Sequence, residues 1–319
     1  MKKFAYKNAG TIPEAVSLTE TGNAAVLAGG TDLINRLKAE AYDSPPELLV
    51  NIKDIPSLDS ITEDADGLKI GALTRIKTVA DSGLIRSTYP ALADAAGVIA
   101  APAIRQMSTL AGNLCQEVQC WYFRRSFMTG NTFHCLRKGG SRCYAVNGDN
   151  RYHAILGAKG CHAVCPSDLA VALTALDARV VTSKRSMPID DFFEVMGNTL
   201  EAGEIVTGVE VPEPAPGTGQ SFIKFALRPV IDFAVVSAAS VITVSDGKVS
   251  DARIVLGAVA PVPYRATGAE EVVKGKAIDE PVAEEAADAA VRDAVPLSHN
   301  RYKVRIAKTL VKRAIMSCI

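Results

Sequence analysis

The sequence predicts an α+β protein of more than one domain, and three observations lead there. The chain has 319 residues, about twice the length of a common single core. Residues 1–60 alternate helix-type and strand-type patterns, whereas residues 220–319 run strands first and helices afterwards. Between the halves, VPEPAPGTGQ at 211–220 has the Pro and Gly content of a linker.

TIPEAVSLTE at 11–20 reads as a helix with Thr11 as N-cap and Glu14 three positions on, a capping box. AAVLAGGTDL is a short apolar strand broken at Gly29-Gly30, followed by the helix INRLKAE, and LLVNI is a second buried strand. LKIGAL begins a new pattern as a strand, a helix starts at Thr78 to Ser82, and PALADAAGVIA and DLAVALTALDA are alanine-rich helices on either side of a turn-rich region; ARVVTS is a strand. SFIKFAL, FAVVSAASVITVS and VSDARIVLGAV are antiparallel strands, the last two joined at Asp246-Gly247. EEAADAAVRDAV and NRYKVRIAKTLVKRAIM close the chain as helices.

Lys plus Arg and Asp plus Glu both number 35, so the net charge is zero, which argues against nucleic acid as the main ligand. No run of 18 apolar residues and no signal-peptide pattern is found, so no membrane role and a cytoplasmic location are expected. Six of the seven cysteines lie between Cys115 and Cys165, with only Cys318 outside. Thiols so grouped, in a chain without an export signal, point to a bound metal or cluster more than to disulfides.

A strand, paired glycines and a helix bring backbone N–H groups close to a phosphate at Ala28-Gly29-Gly30-Thr31-Asp32-Leu33. IRQMSTLAGN at 104–113 offers a second close approach through Thr109, Gly112 and Asn113. Neither segment matches GxGxxG or GxxxxGK[ST], which disfavours a nicotinamide Rossmann domain and a P-loop. LAGGTDL, IGALT and IRQMSTLAGN, with PSDLAVALTALDA, EIVTGVEVP, KFALRPVIDFAVVSAA and VPYRA in register behind them, resemble the FAD-binding medium subunit of the xanthine dehydrogenase family.

That resemblance implies a two-lobed flavin fold of the vanillyl-alcohol-oxidase type, with lobes at 1–60 and 61–213, followed by an α+β domain at 220–319. It sets the FAD pyrophosphate against Ala28 to Leu33, with N–H groups of Gly29, Gly30, Thr31 and Asp32 on one side and of Thr109, Gly112 and Asn113 on the other. It further implies Asp168 near the adenosine half, Lys224 near the flavin ring, and Val206 of EIVTGVEVP at the cofactor. Asp168 also suits a helix N-terminus as a dipole partner. Ala111 stands where the family's usual second glycine precedes GN.

Residues 114–165 separate LAGN from PSD by far more chain than a flavin site needs, and an insertion of that length calls for its own reason to be ordered. NLCQEVQCWYFRRS, HCLRKGGSRC and KGCHAVCPSD resemble the β subunit of 4-hydroxybenzoyl-CoA reductase, which implies a [4Fe–4S] cluster held by Cys120, Cys135, Cys143 and Cys161. Cys165 competes with Cys161 for the fourth place. A structural zinc with His134, His153 or His162 is the alternative. Trp121, Tyr122 and Phe123 beside Cys120 either shield the cluster or simply pack the loop.

The function so implied is electron transfer: FAD exchanges electrons with an outside carrier, ferredoxin or NAD(P), and with a molybdopterin-binding large subunit through a [2Fe–2S] small subunit. The complex would either dehydroxylate an aromatic thioester reductively or oxidise a purine, N-heterocycle or aldehyde. No catalytic acid or base is expected in this chain, because the flavin carries the chemistry. A non-catalytic cluster scaffold and a stand-alone FAD oxidase are the readings from other classes.

Overall fold

The structure, a computed structural model, describes residues 1–20, 22–124 and 133–319; Arg125 and Ser126, which end the NLCQEVQCWYFRRS segment, lie outside the described residues. It is the expected α+β fold, with each large sheet assembled from a different part of the chain. The first sheet is parallel, with Leu48–Asn51 between Ala5–Asn8 and Ala24–Leu27. The helix Ile12–Thr19 connects its outer strands: Thr11 accepts from the Glu14 N–H at 3.3 Å, and the Glu14 carboxylate takes the Gly10 N–H at 2.8 Å.

The second sheet is antiparallel, ordered Ile61–Asp64, Gly67–Gly71, Val206–Val211, Arg179–Thr182, Ser186–Pro188. The third is a meander of Thr218–Phe225, Val236–Ser245, Lys248–Gly257 and Tyr264–Arg265, covered by the helices Thr267–Val273, Glu280–Ala290 and Tyr302–Met316. Helix Asp168–Ala175 lies between these sheets, and all eight of its residues are buried. That explains why DLAVALTA is apolar all round instead of striped.

Several elements were not expected. Ala5–Asn8 is exposed along its length and shows no alternation; its order comes from pairing with Leu48–Asn51. Val206–Val211 is a central strand whose neighbours are distant in sequence. Strand Thr218–Phe225 begins inside the stretch expected as a linker, since Thr218, Gly219 and Gln220 pair with Thr243, Ile242 and Val241. Pairing supplies backbone hydrogen bonds that no local pattern announces. Among the described residues, no helix is long and apolar enough to cross a membrane.

Candidate functional site: a two-loop cleft beside a cysteine insertion

The strand Ala24–Leu27 ends at the glycine pair because the second loop presses against it. A Cβ on Gly29 would lie 2.1 Å from the Met107 carbonyl oxygen, so only glycine fits. Gly30 has φ +72°, which turns the chain into the helix Leu33–Lys38. Among the described residues, the N–H groups of Gly29, Gly30, Thr31 and Asp32 have no hydrogen-bond acceptor. Consecutive unpaired donors lining a cleft fit an anionic group such as a pyrophosphate.

The second loop behaves differently. Thr109 caps the short helix Leu110–Leu114: its Oγ1 accepts the Gly112 N–H at 3.2 Å and its carbonyl takes the Asn113 N–H at 2.9 Å. Of the three N–H groups expected to face a pyrophosphate, those of Gly112 and Asn113 are therefore spent on the helix turn. Gly112 still needs to be small, since a Cβ there would meet Thr109 Oγ1 at 2.8 Å. Asn113 Oδ1 accepts from Ser167 Oγ at 2.6 Å, tying this loop to the cap of helix Asp168–Ala175. Ala111, in place of a glycine, is buried, and its N–H donates to the Ala72 carbonyl.

Ala28 to Leu33, Thr109, Gly112 and Val206 line one cleft of about 230 Å³. A second cavity of about 390 Å³ continues from Thr31, Asp32 and Gly112 to Asn113, Asp168 and Lys224. Asp168 and Lys224 form an ion pair at 2.8 Å, each side chain 6% exposed, and the ammonium also donates to the Val98 carbonyl. Burial pushes the Asp168 carboxyl up and the Lys224 charge pulls against it. The structure thus sets the residue expected near the adenosine half against the one expected near the flavin ring, on one stretch of the wall.

In the insertion, Cys120, Cys135 and Cys161 share one apolar cluster with Val118, Phe123 and Ala163. Cys115 and Cys165 belong instead to the central core, and Cys143 joins neither group. Burial pushes the Cys120 thiol up to about 12, with Cys161 and Cys135 adding to the rise, and burial raises Cys135 as well. His153 Nε2 lies 3.2 Å from Cys120 Sγ, and Arg137 Nε points at Cys161 Sγ from 3.4 Å. Burial, with Lys303 nearby, lowers His153 to about 4. Among the described residues, no three His, Cys, Asp or Glu side chains stand in metal-ligating arrangement. The soft donors suit iron, three of the four expected thiols are brought together, and the ligand set itself is not assembled.

Residues 2–214 match the family described as the FAD binding domain in molybdopterin dehydrogenase, and residues 221–318 match the CO dehydrogenase flavoprotein C-terminal domain. The chain belongs to this family of FAD-binding subunits. It is 34% identical to the aldehyde oxidoreductase FAD-binding subunit PaoB of Escherichia coli (strain K12), over 97% of this chain and 96% of that one. It is 29% identical to the carbon monoxide dehydrogenase medium chain of Hydrogenophaga pseudoflava, over 98% and 96%. Among solved structures, carbon monoxide dehydrogenase from the same organism superposes with TM-score 0.78 at 28% identity, covering 99% of this chain and 97% of that one. Quinoline 2-oxidoreductase from Pseudomonas putida 86 gives 0.77 at 25%, covering 100% and 98%. The two-lobed flavin fold and its C-terminal domain are thereby those of the medium subunits, and the chain is an oxidoreductase subunit.

In this FAD-binding subunit the insertion is fastened to the first glycine loop by charges that sequence reading missed. The Asp32 carboxylate accepts from Arg124 Nη2 at 2.6 Å and from the Glu117 N–H at 3.1 Å. Glu117 in turn pairs with Arg137 at 3.1 Å and Arg36 at 3.8 Å. The Asp32 side chain is thus committed to the insertion while its N–H faces the cleft. Partners separated by 85 and 92 residues leave no local signal. The C-terminal domain grips the insertion from the other side: buried Lys303 donates to the carbonyls of His153 and Ala258 at 3.0 and 2.5 Å, and Asn300 donates to those of His153 and Ala154 at 3.1 Å. Burial lowers Lys303 to about 7.

Proposed function

We propose that this FAD subunit holds its cofactor non-covalently along the joined clefts, with the pyrophosphate on the N–H groups of Gly29, Gly30, Thr31 and Asp32. The four unpaired donors beside Gly29 support this reading most directly. Thr109 and Gly112 shape the opposite wall, Val206 borders the first cavity, and Asp168 with Lys224 borders the second. FAD supplies the redox chemistry; the protein positions it and offsets its phosphate charge. The lobes at 1–60 and 61–213 and the domain at 220–319 are the units of that scaffold.

The insertion at 114–165 adds a [4Fe–4S] cluster on Cys120, Cys135, Cys143 and Cys161. The shared core of three of these thiols supports the set, and the placement of Cys165 in the central core favours Cys161 over it. Cys143 must come to the other three for the set to close. The partners are a molybdopterin-binding large subunit and a [2Fe–2S] small subunit, with ferredoxin or NAD(P) as outside carriers. Relatives named as aldehyde oxidoreductase and carbon monoxide dehydrogenase subunits support substrate oxidation with electrons passing outward. The cysteine pattern alone keeps the 4-hydroxybenzoyl-CoA reductase-like direction as the second reading.

The deciding experiment is anaerobic purification of the natural complex, with flavin, iron and zinc counted and the reduced protein examined by electron paramagnetic resonance. About four irons per chain beyond the partners' complement are expected. Cys120→Ser, Cys135→Ser, Cys143→Ser and Cys161→Ser should each lose or alter the cluster signal, and Cys165→Ser should keep it. Zinc without iron overturns the cluster, and material without flavin overturns the whole reading.

A further inference from the structure

A third cavity, of about 340 Å³, opens where the insertion meets the flavin cleft. It shares Gln119, Pro166, Asp168, Asp232 and Phe233 with the cavity that holds Lys224. Its remaining wall is mainly apolar and aromatic: Trp121, Tyr152 and His153, packed edge to face at 5.7 and 5.4 Å around Trp121, with Leu227 opposite the insertion on the third sheet's connecting loop. None of the glycine-loop residues lines it.

We propose that this cavity binds a neutral planar aromatic acceptor of the quinone class, which takes electrons from the flavin; the inference rests on the flavin reading above. Charge selects the ligand. Among the described residues, Arg228 is the one Lys or Arg in the lining, and its Nε, Nη2 and backbone N–H are committed to Asp232, at 2.6 to 3.2 Å. The close pairing of Arg228 with Asp232 leaves little net positive charge among the described lining residues for the phosphates of a nicotinamide dinucleotide. A folded carrier protein is far too large for the volume. An uncharged ring of one or two fused cycles suits both the size and the aromatic edges.

Two side chains of the described lining, His153 and Ser237, carry a buried polar atom without a hydrogen-bond partner. His153 is 3% exposed, and its Nδ1 is buried with no hydrogen-bond partner, while Nε2 is taken by Cys120. With the Nε2–H turned to the Cys120 sulfur, Nδ1 is an acceptor, suited to a hydroquinone hydroxyl. The reaction balances without a further reagent: reduced flavin yields two electrons and two protons, and the two carbonyl oxygens of the quinone become the two hydroxyls of the hydroquinone. Lys303 and Asn300, holding the His153 carbonyl, fix the ring at the wall.

Trp121 is the only tryptophan in the chain, so binding is read directly from fluorescence. The full chain, with FAD bound, is titrated with 1,4-naphthoquinone. Saturable quenching is expected, weakened about tenfold by His153→Gln and by Leu227→Ala, the loss of roughly one good contact. Flavin content is expected to be unchanged in both. In the complex, both variants should raise KM for the quinone, and Leu227→Ala should leave the rate with ferricyanide unchanged. Unsaturable collisional quenching, or equal affinity in both variants, overturns the proposal. Quinone binding only after FAD is removed, or loss of FAD from the variants, assigns the cavity to the flavin and also overturns it. Failure of the wild-type chain to bind FAD at all instead defeats the flavin reading, while the titration of the flavin-free chain still reports on the cavity.

Discussion

The first glycine loop and the cysteine insertion adjoin in space and are built on opposite principles. The loop is shaped by backbone: Gly29 lies flat against Met107, Gly30 turns at positive φ, and four N–H groups are left facing a cleft. The described residues of the insertion have almost no regular structure beyond Trp121–Arg124 and a turn at Leu136–Lys138, and side chains hold them. Trp121 and Tyr122 both donate to the Asp149 carbonyl, Asn150 bonds to Ala145 and Ser298, and Arg124 and Arg137 reach into the flavin loop's charge network. Backbone-built sites fail through a single added atom, whereas side-chain-built ones loosen contact by contact.

The largest effect should come from Gly29→Val. Its Cβ meets backbone on both sides of the contact, so the loops must part, at about 3 kcal/mol of stability, and flavin should be absent from the purified protein. Gly30→Val, at φ +72° with only the flexible ends of Leu27 and Ile34 nearby at 3.2 and 3.3 Å, strains the turn and should also lower flavin content. Full flavin content in Gly29→Val breaks the backbone half of the comparison.

Lys303→Met comes next. It leaves the Ala258 carbonyl without its buried Lys303 donor and the His153 carbonyl with Asn300 alone, a cost of about 2 kcal/mol, read by denaturant unfolding. Limited proteolysis should then cut the insertion sooner while the flavin content stays near normal. Cleavage within 1–60 instead would show that the two regions are not separable in this way.

Glu204 gives a test by pH at the edge of the first cavity. Burial pushes its carboxyl up, but Arg185, the Glu201 N–H and Thr182 outweigh that and hold it at about 2, below its ordinary 4.5. A depressed carboxyl contributes stability above about pH 4.5 that is lost as pH falls toward 2. Thermal unfolding of Glu204→Gln should therefore show a lower plateau at neutral pH and a flatter decline over that interval than wild type.

The smallest effect belongs to Arg124→Met, which removes one partner of Asp32 and leaves the Glu117 N–H in place. A loss of about 1 kcal/mol is expected, with flavin affinity reduced a few-fold in equilibrium titration. No change in flavin affinity would show that the insertion's grip on Asp32 does not reach the cleft.

Periodicity and turn chemistry were enough to place the helix Asp168–Ala175, the hairpin at Asp246-Gly247 and the paired glycines, because each depends on neighbours a few residues away. The same local rules fixed the α+β class and singled out the two loops. They said nothing of Ala5–Asn8 as a strand, since its exposed residues carry no pattern, nor of Val206–Val211 between strands drawn from far along the chain. Asp168 against Lys224, Asp32 against Arg124, and His153 held between Cys120 and the C-terminal helix were decided by tertiary structure alone. A hydrogen bond or ion pair across 56 or 92 residues exists only once the sheets have packed, so its partners cannot be read from spacing; a capped turn or a glycine at positive φ is written within one helical turn and can.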